Sequence, residues 1–94
     1  MVNNSTRKVT VLNPAGLHAR PSLAVFQTVR GSQSKVEIHT ARQTVDAGDM
    51  LQLLGLGATQ GTELTLSAIG PDADEVLNRL AELFADRFGV FDGG

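Results

Sequence analysis

Asn13-Pro14-Ala15-Gly16-Leu17-His18-Ala19-Arg20-Pro21 reads as a turn that runs into a helix, and the rest of the chain can be placed outward from it. Pro14 and Gly16 break whatever precedes them. Pro21 suits the first turn of a helix, where a missing N–H costs nothing. A helix N-terminus leaves backbone N–H groups unpaired and carries partial positive charge, which together make an anion site. Arg20 adds a permanent charge on a planar fork that matches phosphate oxygens. His18 adds a nucleophile, because a neutral imidazole carries a ring nitrogen with a free lone pair. Nucleophile, cation and N–H groups thus converge within a few residues, the pattern of a phosphoryl acceptor. Taken merely as a lone His at a helix start, His18 reads equally as a cap or a surface residue.

On the N-terminal side, Arg7 to Leu12 alternates as a strand, with Val9 and Val11 apolar and Lys8 and Thr10 polar, after a tail of about five residues. On the other side, Ser22, Val25, Phe26 and Val29 form one helical stripe, ended by Gly31. Lys35 to Thr40 alternates again, with Val36 and Ile38 on one face, and Arg42 to Asp46 forms a hairpin with it around Ala41. Asp49 is placed to N-cap a short helix through about Gly55. Leu56 to Gly61 is a loop. Thr62 to Ile69 is the strongest strand, with Leu64, Leu66 and Ala68 on its core face. Asp72 caps a last helix whose buried stripe is Ala73, Val76, Leu77, Leu80, Leu83 and Phe84, and Asp92-Gly93-Gly94 is a short tail. Strictly alternating strands leave one sheet face wet. Three amphipathic helices must cover the other, giving an α+β two-layer sandwich in the order β-α-β-β-α-β-α.

Composition narrows the function. The 94 residues fit one domain, 41% of them are hydrophobic, and the only aromatic residues are four Phe. With no Cys, a disulfide framework or a thiolate metal site is excluded. Ten acidic residues against eight basic ones, without a basic run, argue against nucleic-acid binding. No apolar stretch is long enough for a membrane span and no signal core opens the chain, so a cytoplasmic protein is expected. His39 alternates outward on its strand and is expected to be exposed and without function; two His residues alone make no metal site.

The stretch Asn13 to Pro21 closely resembles the active-site signature of the HPr family, the histidine phosphocarriers of the bacterial phosphoenolpyruvate:sugar phosphotransferase system. Leu56-Gly57-Ala58-Thr59-Gln60-Gly61-Thr62 resembles that family's loop before its last strand, and the match runs over about residues 7–88. The resemblance implies a single HPr-like domain over 1–94, an open-faced sandwich whose four-stranded antiparallel sheet is covered on one face by three helices. It implies that His18 is phosphorylated on its δ1 nitrogen by enzyme I and donates to an EIIA-type protein. Arg20 would stabilise the phosphoryl group, and backbone N–H groups around Ala19 and Arg20 would hold its oxygens. No cofactor or metal is implied, and a monomer is the default for a carrier with two successive partners.

The resemblance also gives a role to apolar residues that one short helix cannot bury. Leu23, Met50, Leu51 and Leu54 would form a docking face beside His18, with Gln27 and Arg30 on its rim. The alternative is that they pack inward, as Leu53 should. Asp49 stands where many relatives carry a regulatory Ser; it is either a plain N-cap or a fixed negative charge that partly imitates phosphoserine. Two other functions compete: a regulatory phosphocarrier of a nitrogen or carbon branch, and a non-catalytic binding module that has kept the fold.

Overall fold

A computed structural model describes residues 3–89. Asp92-Gly93-Gly94 and the first two residues of the expected N-terminal tail lie outside them. The elements are β1 (Asn3–Thr10), α1 (Ala19–Arg30), β2 (Lys35–His39), β3 (Thr44–Asp46), α2 (Met50–Gly55), β4 (Glu63–Gly70) and α3 (Ala73–Ala85), followed by a short turn at Arg87–Gly89. The four strands form one antiparallel sheet in the order β1-β4-β2-β3. This is the expected β-α-β-β-α-β-α sandwich.

Side-chain alternation decides which face of the sheet is covered. Val36, Ile38, Val45, Leu64, Leu66 and Ala68 are all buried on the helical side. They meet Pro21, Ser22, Val25 and Val29 of α1, Leu53 of α2, and Ala73, Val76, Leu77, Leu80 and Phe84 of α3. Each fully buried Val, Leu or Phe contributes about 1.5–3 kcal/mol. Lys8, Thr65, Glu37, His39, Thr44 and Asp46 occupy the open face, at the register positions between the buried ones.

Four local expectations are corrected. β1 starts at Asn3, not Arg7, so Asn3–Thr6 are not a tail: they pair with Gly70–Ser67 at the far end of β4. That pairing overrides the weak strand propensity of Asn and Ser. The β2–β3 hairpin turns around Ala41 as expected, but Arg42 and Gln43 belong to the turn rather than to the second strand, with Thr40 N donating to Gln43 O at 2.8 Å. Its Thr40 hydroxyl also accepts from the Arg42 and Gln43 amides, so β3 begins only at Thr44. Asp72 occupies the N-cap position of α3 but makes no capping bond. Its carboxylate accepts instead from Gln33 N, at 3.0 Å, and from the Ser34 hydroxyl, at 2.5 Å. These bonds hold its pKa below the usual carboxylate range, with Ser34 the larger cause and Gln33 the next. Lastly, His39 is half-buried rather than exposed, because Nδ1 pairs with Thr44 Oγ1 at 2.9 Å and Nε2 with Ser67 Oγ at 2.8 Å.

Candidate functional site

The site is assembled from two loops that lock together. Past the end of β1, Val11 N donates to Thr62 O and Val11 O accepts from Gly61 N, at 3.0 and 2.8 Å, so residues 56–62 lie against the turn at 13–17. Leu17 N donates to Ala58 O at 2.8 Å, and Gln60 Nε2 donates to Leu12 O at 3.1 Å. Gly16 adopts φ +74°, and a Cβ there would meet Ala58 O at 2.4 Å, so only glycine permits this approach. Asn13, 2% exposed, closes the turn from inside: its O accepts from Gly16 N at 3.0 Å and its Nδ2 donates to Gly16 O at 2.5 Å.

This rigid turn delivers His18 to the N-cap of α1, in extended backbone and without a side-chain capping bond. The first helical hydrogen bond runs from Ser22 N to His18 O at 3.0 Å, and the buried Ser22 hydroxyl donates to Leu17 O at 3.3 Å. Helix geometry therefore leaves the amides of Ala19 and Arg20 without intrahelical acceptors, while Pro21, the third helical residue, has none to offer. Those two amides sit on exposed residues at the positive end of the helix dipole. The imidazole is half-buried. Its Nε2 is enclosed without a hydrogen-bond partner, which leaves Nδ1 as the ring nitrogen that reaches solvent. Chemically, the arrangement combines an open ring nitrogen with two amides and a guanidinium suited to an anion beside it.

Arg20, Leu23, Gln27 and Arg30 follow at spacings of three, four and three, so they line one stripe of α1, and all four are exposed. Leu23 is 44% exposed, and the Arg30 guanidinium lies 5.5 Å from the centre of the Phe26 ring. On α2, which packs against α1, Leu53 is fully buried, Leu51 is 81% exposed, Leu54 is 43% exposed and Met50 is half-buried. The sequence surplus of leucine on this short helix is thus a surface feature, except at Leu53. Asp49 caps α2 as expected: Oδ1 accepts from Leu51 N at 3.0 Å and Gln52 N at 3.2 Å, and Oδ2 from Gln52 Nε2 at 3.2 Å.

Sequence reasoning passed over Asn13 as a brace and Leu12 as an exposed apolar neighbour of the turn. Asn at a turn start was the available signal for the first. Among the described residues, no group of three or more His, Cys, Asp or Glu side chains could hold a metal, and no helix is long and apolar enough to cross a membrane.

Comparison with known proteins completes the picture. A family model described as the PTS HPr component phosphorylation site matches residues 5–86. The phosphocarrier protein HPr of Cupriavidus necator is 36% identical over 83 residues, covering 88% of this chain and 93% of its own length. A multiphosphoryl transfer protein of Xanthomonas campestris is 39% identical over 71 residues; that match spans 76% of this chain but 8% of the longer protein. Among solved structures, an HPr from Thermoanaerobacter tengcongensis superposes with a TM-score of 0.88 at 30% identity, over 93% of this chain and 98% of that one.

Proposed function

The chain belongs to the HPr family of the phosphotransferase system, and from that premise we propose that it carries a phosphoryl group on His18 from phospho-enzyme I to EIIA-type proteins. The Nδ1 lone pair forms the new N–P bond as the donor's bond to phosphorus breaks, and Nε2 keeps its proton. The amides of Ala19 and Arg20 and the Arg20 guanidinium receive the phosphoryl oxygens. Donation to the next protein is the reverse displacement, so the site must hold the group without trapping it. Two amides and one exposed Arg suit that balance, since the charge-assisted contact is favourable while competing water keeps it from being as strong as in a dry site.

The observation that carries this reading is the pairing of an open Nδ1 with an enclosed Nε2 at a helix N-terminus whose first two amides are free. Docking in this reading uses the exposed side chains around the site: Leu23, Leu51 and Leu54 as apolar contacts, Met50 at their margin, and Gln27 and Arg30 on the rim. A monomer working in the cytoplasm, with the whole chain as one domain, fits a carrier that must meet two partners in turn. Asp49 supplies a charge at the cap of α2 that a Ser would carry only when phosphorylated.

The test is incubation with phosphoenolpyruvate and enzyme I, followed by mass measurement before and after acid treatment. One acid-labile phosphoryl group is expected on the native chain and none on His18→Ala; full labelling of that variant would refute the assignment.

A further inference from the structure

Two buried side-chain polar atoms among the described residues lack a hydrogen-bond partner, and both belong to the same turn: Asn13 Oδ1 and His18 Nε2. They are chemically complementary. Asn13 Nδ2 is committed to Gly16 O at 2.5 Å, which fixes the orientation of the amide, because the flipped form would set two oxygens against each other. Oδ1 is therefore an acceptor in need of a donor, on a residue only 2% exposed.

His18 presents the opposite need. For Nδ1 to attack phosphorus its lone pair must be free, so the ring proton must sit on Nε2. An enclosed N–H without an acceptor is costly, whereas a proton on Nδ1 would meet water. Left alone, burial of Nε2 would favour the tautomer that cannot react. We propose that Asn13 Oδ1, the complementary orphan of the same turn, becomes the acceptor of the His18 Nε2 proton through a small rotation of the ring, and so holds the imidazole in its nucleophilic tautomer. Asn13 is thereby a positioning residue: it never touches the phosphoryl group, and it acts by setting which ring nitrogen carries the proton. The inference rests on the reading of His18 as the phosphoryl acceptor.

The tautomer is directly visible in the two ring-nitrogen shifts of the unphosphorylated protein, measured by long-range proton–nitrogen NMR. The native chain is expected to show the proton on Nε2. Asn13→Leu, similar in size and without an acceptor, is expected to move the population toward Nδ1–H. Its phosphoryl-transfer rate should fall by about tenfold, the effect of losing one ordinary hydrogen bond. Where Asn13→Leu does not fold, the native chain decides alone: a proton on Nε2 that is bonded to Asn13 should exchange slowly with solvent and be visible by NMR. A native chain with its proton on Nδ1, an Nε2 proton that exchanges freely, or a ratio indifferent to Asn13→Leu would overturn the proposal. Failure of native His18 to take up phosphate is a separate outcome: it overturns the phosphocarrier reading while the tautomer measurement still stands or falls by itself.

Discussion

Gly16 stands so close to the carbonyl of Ala58 that a single added carbon would approach its oxygen to 2.4 Å. The contact joins the turn that presents His18 to the loop that precedes β4, and it is made in left-handed backbone at φ +74°. Gly16→Ala should therefore cost about 2 kcal/mol or more, from the left-handed conformation and the displaced loop together. Urea denaturation at pH 7 measures the loss. A change below about 0.5 kcal/mol would mean that the two loops separate freely.

The Asp72 carboxylate, tied to Ser34 and Gln33 across the sheet end, makes a pH-dependent contribution. Its pKa is lowered in the folded chain from an ordinary 3.8. A depressed carboxylate stabilises fully above the unfolded-state value and loses that effect as pH falls through the folded-state value. Asp72→Asn should therefore be less stable than the native chain at pH 7, and the gap should narrow as pH falls past 3.8 and close once pH lies below the lowered folded-state value. A gap of equal size at pH 7 and in acid would show that the ionised form has no special role.

Arg20→Ala should slow transfer from phospho-enzyme I by roughly 10- to 100-fold, since one charge-assisted phosphate contact is worth about 1.5–3 kcal/mol. Because Arg20 is exposed, its melting temperature should hardly move. An unchanged rate would leave the Ala19 and Arg20 amides as sufficient by themselves.

Leu51 and Leu53 are two residues apart on α2 and face opposite fates, one 81% exposed and the other fully buried. Leu51→Ser should weaken enzyme I docking and cost little stability. Leu53→Ala should cost about 2–5 kcal/mol. Isothermal titration against enzyme I and thermal denaturation separate the two effects; a large stability loss from Leu51→Ser would mean that it belongs to the core after all.

What sequence pattern could and could not reveal follows from the range of the interactions involved. The core faces of β2, β3 and β4 were legible because each alternation is written locally, in pairs such as Val36 and Ile38 or Leu64 and Leu66. The capping bonds of Asp49 were legible for the same reason, since their partners lie two and three residues on. The N-terminal half of β1 was not, because Asn3–Thr6 become strand only through pairing with β4 more than sixty positions away. The bonds of Asp72 to Gln33 and Ser34, and of His39 to Ser67, are likewise products of the assembled sheet. At the site, the motif named His18 and Arg20. The enclosure of Nε2 and the role of Asn13 depend on how the turn folds over itself, which no spacing records.

Asp49 gives the last test, and its geometry sharpens the question. Its carboxylate receives the amides of Leu51 and Gln52 and the side chain of Gln52, so the charge is held at the start of α2, the helix that carries Leu51 and Leu54. A partner that docks on those leucines to reach His18 must approach that charge. A phosphoserine would bring about −1.5 to −2 charges, whereas Asp brings only one, so its effect is weaker but always present. Asp49→Ser keeps a good N-cap, so it removes the charge while sparing the helix. The variant should accept phosphate from enzyme I somewhat faster than the native chain. The difference should be largest at low salt, because screening at about 0.15 M shortens the reach of an exposed charge to about 8 Å. Initial transfer rates of both forms at two ionic strengths decide the matter. Equal rates at both would reduce Asp49 to a cap; a gap that salt closes would mark it as a built-in brake on docking.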